Sequence, residues 1–280
     1  MTSVSSLIWT MRVNSHLLVE KEREQAMKHN RDATGVVQAS SVFPELPPSV
    51  SEQPAVSKPR LRDLLPDLPA VKPRIPEPVA AVMGHVKATT LSFSNLHQYG
   101  DLFVSLLKAR KKTFIDRLHW SLPEAEGMEF DQYDTPLSRW IVVHEFGEIL
   151  AGIRLTPTTA RCGVYSYMLR DAQKGMLESI PTDVLFFEAP VNPRIWEASR
   201  LFVSPAVPAH RRLAVQAALM GQLSESARGY GATHVIGIVP AVWSRWLRRL
   251  DLSAVPVGPK FSIDDTVSQA ALFTVARYVN

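Results

Sequence analysis

Hydrophobic and polar positions follow regular patterns from about residue 84 onward, and these patterns predict alternating strands and helices. Alternation of period two over short runs is typical of half-buried strands. It predicts strands over residues 85–93, 140–145, 148–155, 196–203 and 234–239. The second and third of these runs are separated only by Phe146-Gly147, which predicts a tight hairpin.

Apolar positions spaced near 3.6 residues predict helices between the strands. The first helix begins after Ser94 or Asn95 as N-cap and extends to Phe114, which places Arg110 and Phe114 on one face. Further helices are predicted over residues 213–228 and 242–250. This mixed order favours a twisted, mostly antiparallel sheet with helices on both faces.

The stretch before residue 84 has a different composition. Of the 21 prolines, 10 lie between Pro44 and Pro78, which excludes a helix or a central strand there. The chain is therefore divided into a proline-rich, disordered N-terminal extension, residues 1–83, and a folded domain, residues 84–280. A passive tail, a docking arm and a true start at Met83 are the alternatives for the extension.

Composition narrows the function classes. The chain is 46% hydrophobic and 21% charged, and it has neither a run long enough to span a membrane nor a secretory leader, so a cytoplasmic protein is expected. The single cysteine, Cys162, excludes an internal disulfide and a cysteine-rich zinc site. No Gly-x-Ser-x-Gly elbow, phosphate-binding loop or histidine pair at metal-ligand spacing occurs, so no metal is expected. Apolar residues interleaved with the arginines of 245–249 favour a packed helix over nucleic-acid binding.

Charged and aromatic residues are concentrated in four short blocks. The blocks begin at Arg110, Glu129, Arg154 and Trp196. Taken together they contain eight residues of interest: Arg110, Phe114, Trp120, Asp131, Asp134, Arg154, Glu197 and Arg200. Three arginines, three carboxylates and two large aromatics in one region suit a small zwitterionic or cationic ligand.

In type, order and spacing within each block, these residues resemble the signature of the acyl-homoserine-lactone synthases, the autoinducer-producing enzymes of bacterial quorum sensing. The resemblance covers about residues 84–280, with a longer stretch than usual between Arg154 and Glu197. It implies an acetyltransferase-like α/β/α sandwich with a mixed, mostly antiparallel twisted sheet and a cleft between two splayed strands. It also implies acyl transfer from a phosphopantetheine thioester to the amine of S-adenosylmethionine, followed by lactone closure and release of methylthioadenosine.

The resemblance assigns catalysis to Glu197, Arg200 and Arg154, with Glu197 as the base that takes a proton from the amine. The alternative for Glu197 is an ion pair with Arg200 or Arg154. In a regular strand Glu197 and Arg200 point to opposite faces, so a shared role requires a bulge.

The expected S-adenosylmethionine pocket uses Asp131 and Asp134 for the cationic part of the substrate and Arg110 for its carboxylate. Phe114 and Trp120 form its walls, and Arg154 organises the carboxylates or holds the ligand. Considered singly, the aspartates suit turns and the aromatics suit core packing. S-Adenosylmethionine is then a substrate, and no resident cofactor is expected.

The acyl donor is predicted from the segment 204–212, where coenzyme A users of this fold usually have a glycine-rich loop and this chain has no glycine. An acidic acyl-carrier protein fits better, with basic docking residues at Lys108, Lys111, Lys112, Arg211, Arg212, Arg245, Arg248 and Arg249. Acyl-coenzyme A remains the alternative donor, because the side chains from His210 to Arg212 could bind its phosphates.

The acyl tunnel is predicted to be lined by residues 165–168 and by the 234–239 strand. The rival functions are another N-acyltransferase of this fold acting on a different amine, and a non-catalytic acyl-carrier-binding module.

Overall fold

The computed structural model describes residues 58–59, 84–240, 254–263 and 266–275. They belong to one compact unit, Val56–Asn280. Apart from residues 58–59, the extension predicted to be disordered lies outside the described residues. The predicted 242–250 helix, with its three arginines, lies outside them as well. The domain boundary at residue 83 therefore stays a prediction.

A seven-stranded sheet forms the centre of the fold. Its strands are β1 (Val86–Leu91), β4 (Arg139–Glu145), β5 (Glu148–Pro157), β6 (Ile195–Val203), β7 (His234–Pro240), β8 (Ala254–Ile263) and β9 (Thr266–Thr274). Their order across the sheet is β1-β4-β5-β6-β7-β9-β8. Of the neighbouring pairs, β6 and β7 are parallel and the others antiparallel. A separate two-stranded ribbon joins β2 (Glu124–Ala125) and β3 (Met128–Glu129).

The β4–β5 hairpin turns at Phe146-Gly147, as predicted. Both residues have positive φ, 49° and 86°, which is the geometry that matches the twist of the flanking strands. Five strands predicted from alternation are present, each within a few residues of the predicted bounds.

The first helical region differs from the prediction of one continuous helix. A 3₁₀ turn (Leu96–Gln98) is followed by Gly100 with φ 57°, and α1 (Leu102–Lys111) then passes into a π-helical segment (Lys112–Arg117). Asn95 does not cap α1. Its side chain accepts a hydrogen bond from the Ser92 N–H at 2.7 Å and donates one to the Thr90 carbonyl at 3.0 Å, which closes the turn after β1.

One face of the sheet is covered by α3 (Ala209–Gly229), which begins four residues earlier than predicted. Its buried side chains, including Val215, Leu219 and Leu223, pack against Ile141, Ile153 and other residues of β4–β6. This face holds a mainly apolar core and contributes none of the eight residues of interest.

The opposite face is covered in two parts. Towards β1 and β4, α1 and the π segment pack Leu106 and Phe114 against Trp140 and Phe202. Towards β7 and β9, α2 (Met168–Gln173) and the chain that follows it pack against Ile236 and Leu272. Polar residues of β5 and β6 lie between the two apolar clusters.

Strand β6 carries a bulge. Gly152 pairs with Phe202 and Arg154 with Ser199, so two steps along β5 match three along β6. Arg200 takes up the extra residue with φ 54°. Pairing between β6 and β7 covers Ile195 to Ala198, and the bulge therefore follows directly where that pairing ends.

Candidate active site

Alternate residues of β5 and β6 place the candidate polar side chains on the face between α1 and α2. Arg154 lies opposite Ser199 and Thr156 opposite Glu197, so all four point to the same side of the sheet. The bulge turns Arg200 to that side as well, since its guanidinium contacts Asp131, which also binds Arg154. The bulge that a shared role of Glu197 and Arg200 requires is therefore present.

Six charged residues, five of them among the eight predicted, form a closed ring of ion pairs. Arg110 binds Asp134 through two hydrogen bonds of 2.8 and 2.9 Å and also binds Glu129. Arg154 contacts Asp131 and Asp134, and Arg200 contacts Glu129 at 3.0 Å and Asp131 at 2.8 Å. Each arginine thus bridges two carboxylates, each carboxylate bridges two arginines, and the ring carries no net charge.

Asp134 and Arg154 keep their charge although they are buried. Arg154 and Glu129 are fully buried, whereas Arg200 retains 11% exposure of its side chain. Burial opposes the charge on Asp134, but Arg154 and Arg110 outweigh it and lower the pKa of that carboxyl. Burial likewise opposes the charge on Arg154, but Asp131 and Asp134 raise its pKa.

Neighbouring groups fix the orientation of the ring. Arg154 Nε donates to Ser199 Oγ at 3.1 Å, and Trp140 Nε1 donates to Asp134 at 2.9 Å. Asp131 also accepts the Tyr133 N–H at 2.9 Å. The turn role considered for the aspartates and their ion-pair role therefore coexist.

The predicted aromatic wall is adjacent to the ring. Phe114 and Trp120 stack with centroids 5.0 Å apart and an angle of 16° between their planes. The guanidinium carbon of Arg200 lies 5.8 Å from the Phe114 centroid, so the aromatic pair and the charged ring meet at the least buried arginine.

Glu197 is fully buried and has a different environment. Its carboxylate accepts the backbone N–H of Met168 at 2.9 Å and of Leu169 at 2.7 Å, at the start of α2. Burial raises the pKa of Glu197 to about 7, and the two N–H donors and the charge of Arg154 only partly offset that effect. The alternative of an ion pair with Arg154 or Arg200 is wrong, because among the described residues neither arginine is within ion-pair distance of Glu197.

Of the eight predicted residues, seven are connected by ion pairs or ring contacts. The eighth, Glu197, lies three positions before Arg200 on β6. The residue missed in sequence is Glu129, which closes the ring. It stands two positions before Asp131 in the same block, on the same side of an extended segment.

Of the five predicted docking residues that the structure describes, three are engaged in contacts within the protein. Arg211 forms two hydrogen bonds of 2.9 Å with Glu145, and Arg212 Nε donates to the Val207 carbonyl at 3.0 Å. Lys111 pairs with Asp116 and Glu124. The docking role of these residues stays a prediction, as does that of the three arginines outside the described part of the chain.

Comparison with known proteins identifies the family. A sequence model of the autoinducer synthase family matches residues 94–277. The chain belongs to the autoinducer synthase family.

The chain is 29% identical over 181 residues to an acyl-homoserine-lactone synthase of Acinetobacter nosocomialis, covering 62% of this chain and 92% of that one. It is 26% identical over 188 residues to the isovaleryl-homoserine lactone synthase of Bradyrhizobium diazoefficiens, covering 67% and 79%. Among solved structures it resembles TofI in a complex with an inhibitor and MTA, with a TM-score of 0.55 and 26% identity over 68% of this chain and 91% of that one. LasI, at 20% identity and a TM-score of 0.57, shows the same fold.

These findings confirm the recognition made from the blocks, the acetyltransferase-like fold and the assignment of this autoinducer synthase family member as an acyltransferase enzyme. Within the part of the chain that is described, no helix is long and apolar enough to cross a membrane. The same residues gather no group of three or more histidine, cysteine, aspartate or glutamate side chains suited to a metal ion.

Proposed function

We propose that the protein is an acyl-homoserine-lactone synthase that acylates the amine of S-adenosylmethionine and closes the lactone with release of methylthioadenosine. The observation that carries the proposal is the neutral ring of three arginines and three carboxylates beside a buried glutamate, in a chain of the autoinducer synthase family. The ring offers both signs of charge next to an aromatic wall, which suits a substrate with a sulfonium, an ammonium and a carboxylate.

Within the ring, we assign ligand contact to its exposed edge. Arg110 and Arg154 are almost fully buried and each binds two carboxylates, so they form the framework. Arg200 is the most exposed member and lies over Phe114, so we assign the substrate carboxylate to Arg200 in preference to Arg110. Asp131, which contacts Arg200, then faces the cationic part of the substrate.

Glu197 is assigned as the base. The α-ammonium of the acceptor must lose a proton before nitrogen can attack the thioester carbonyl, and a carboxylate with a pKa of about 7 is matched to that task. Its two backbone donors fix the carboxylate in position without a counter-ion that would make it a weaker base. Nitrogen then forms the amide bond as the thiol leaves, and the substrate carboxylate displaces methylthioadenosine from its own γ-carbon.

The proposed acyl donor is a phosphopantetheine thioester carried by either an acyl-carrier protein or coenzyme A. At the start of α3, Pro205 and Pro208 supply no backbone N–H, and the side chains of Arg211 and Arg212 are bound to other protein groups. This arrangement provides few free donors for a pyrophosphate, which favours the carrier protein. The apolar cluster of Tyr167, Met168 and Ile236 beside Glu197 is assigned to the acyl chain.

The test uses purified full-length protein with S-adenosylmethionine and a panel of acyl thioesters, each presented on both carriers. Mass spectrometry is expected to detect acyl-homoserine lactone and an equal amount of methylthioadenosine, and a Glu197→Gln variant is expected to form much less of both. An acylated amine without lactone would replace the proposal with another N-acyltransferase. Thioester binding with no turnover on any donor would support a binding module.

A further inference from the structure

Asp171 in α2 is a buried carboxylate to which the proposed mechanism gives no role. The residue is 0% exposed. Its two oxygens accept the N–H of Ser166 at 2.8 Å and the hydroxyl of Ser166 at 2.5 Å. Its own N–H donates to the Tyr167 carbonyl at 3.0 Å. Burying a carboxylate is costly unless it is hydrogen-bonded, so the role of Asp171 depends on what these bonds hold in place.

The bonds close a short loop, residues 166–171, which is called the α2 entry below. Met168 and Leu169 lie inside this loop, and their N–H groups belong to the first turn of α2, where the helix itself offers no carbonyl to accept them. Both donate to Glu197, at 2.9 and 2.7 Å. The α2 entry therefore presents two adjacent donors to the proposed base, and Asp171 ties its ends together.

The far end of α2 is held by a different residue. Gln173 Nε2 donates to the Phe187 carbonyl at 2.9 Å, and Gln173 Oε1 accepts the Ala189 N–H at 2.8 Å. Both of these bonds are to the segment after α2 and not to the α2 entry. The two ends of the helix can therefore be released separately by substitution.

The geometry points to Asp171 as a positioning residue that holds the α2 entry in the shape that presents the Met168 and Leu169 N–H groups to Glu197; this rests on the function proposed above. The two N–H groups fix the carboxylate that accepts the proton of the acceptor amine. A displacement of about 1 Å at a reacting group can cost about 10²-fold in rate. Asp171 therefore acts on the reaction through Glu197.

The charge of Asp171 and the two N–H donors act on Glu197 in opposite directions. Burial has the largest effect and raises the pKa of Glu197; the donors and Arg154 of β5 lower it, and Asp171 raises it. The neighbouring Tyr133 and Tyr167 stay neutral near pH 7, because burial and the nearby carboxylate charges raise the pKa of both hydroxyls. Loss of the donors and loss of the Asp171 charge should therefore move the pH profile of kcat in opposite directions.

The test compares Asp171→Ala with Gln173→Ala in purified full-length protein, with S-adenosylmethionine and an acyl thioester as substrates. Each variant loses two side-chain hydrogen bonds at one end of α2, so similar falls in melting temperature are expected. Asp171→Ala is expected to lower kcat by about 10²-fold, and Gln173→Ala far less. A wild-type kcat in Asp171→Ala, or equal losses of kcat in the two variants, would overturn the proposal.

Asp171→Asn separates hydrogen bonding from charge. The amide oxygen can accept the Ser166 N–H and the amide N–H can donate to the Ser166 hydroxyl oxygen, so the α2 entry stays closed. This variant is expected to recover most of the kcat lost in Asp171→Ala and, without the negative charge, to move the midpoint of the pH profile to lower pH. A kcat as low as that of Asp171→Ala would contradict positioning, because the loop geometry would then not be what the rate depends on.

Ser166→Ala is the milder variant if Asp171→Ala does not fold. It removes one hydrogen bond and keeps the charge of Asp171, so less firmly held donors should lower kcat and raise the midpoint of its pH profile. Wild-type values of both would overturn the proposal.

Failure of the proposed function has a different signature, because the wild-type protein itself would then form no lactone with any thioester. Amide hydrogen exchange at Met168 and Leu169 tests the positioning role without turnover. Exchange there should be faster in Asp171→Ala than in Gln173→Ala, and equal rates would overturn the role of Asp171.

Discussion

The charged ring and the pocket around Glu197 lie on the same face of the sheet, three residues apart along β6. Their carboxylates nevertheless differ in the groups that bind them and in the direction of their pKa shifts. In the ring each carboxylate has two arginine partners, and the pKa of Asp131 and of Asp134 is lowered despite burial. Glu197 has two backbone N–H donors in place of a cation, and burial raises its pKa to about 7.

The ring is therefore suited to hold geometry, whereas Glu197 is suited to exchange a proton. Groups whose charge is fixed by several partners cannot exchange protons near neutral pH, so the ring is suited to orient a ligand and to keep β3, β5 and β6 in register. A carboxylate that is buried without a counter-ion is close to losing its charge, and this is the condition for a base.

The largest effect is expected from removing an arginine from the ring. Arg154→Met leaves Asp131 and Asp134 each with one partner fewer in a buried site, and loss of one partner from a buried ion pair typically costs about 3–5 kcal/mol. Urea unfolding should show this loss, with Arg161→Met, on an exposed loop, as the matched control for charge. Equal stability of the two variants would mean that the ring does not support the fold.

The next effect concerns the pH dependence of catalysis. Glu197 must be ionised to accept a proton, and its pKa is raised to about 7, so kcat should fall as the pH decreases below 7, by about tenfold per unit. Asp131 and Asp134, whose pKa is lowered, remain ionised over the same range and should add no step of their own. In Glu197→Gln the residual rate should lose this dependence. If the variant keeps the wild-type profile, another group is the base.

A smaller effect is expected where the two regions meet on β6. Ser199 Oγ accepts the Arg154 Nε–H at 3.1 Å, and hydrogen bonds to charged groups contribute about 1.5–3 kcal/mol. Ser199→Ala should therefore reduce the free energy of unfolding by about 2 kcal/mol. Ser204→Ala, in the segment after β6, provides the control for loss of a hydroxyl. A loss in Ser199→Ala no greater than in that control would show that the ion pairs alone hold Arg154.

The sequence was sufficient to predict the parts of this contrast that depend on local pattern. Alternation located β1, β4, β5, β6 and β7, and the eight residues selected from the blocks include every member of the ion-pair ring except Glu129. The π segment was not predictable, because a single period of 3.6 fits residues 102–117 as a continuous helix. Strand β8 was missed because Pro256 and Pro259 are unfavourable in a strand, and α2 because six residues give too little periodicity.

The partners of each charge required the tertiary structure. Arg110 and Asp134 are 24 residues apart, and Arg200 and Glu129 are 71 residues apart. Residue type limited the pairing to arginine with carboxylate but could not distinguish Glu129 from Glu197 as the third acid. That choice depends on the bulge at Arg200, which turns this side chain towards β3, and on α2, which supplies the two donors to Glu197.

The smallest effect on stability is expected at the surface, where the same residue types form a pair that is open to solvent. Arg211 and Glu145 make two hydrogen bonds of 2.9 Å with side chains about one-fifth exposed, and such pairs contribute little because water screens them. Arg211→Ala should therefore leave the melting temperature almost unchanged, in contrast to Arg154→Met.

The same variant tests the docking role of Arg211. If Arg211 docks an acidic carrier protein, Arg211→Ala should raise KM for the carrier-bound thioester and not for the coenzyme A thioester. Glu145→Ala is the matched control, because it frees Arg211 from its partner. If docking uses Arg211, this variant should lower KM for the carrier-bound donor. An unchanged KM in both variants would show that Arg211 is not part of the docking surface.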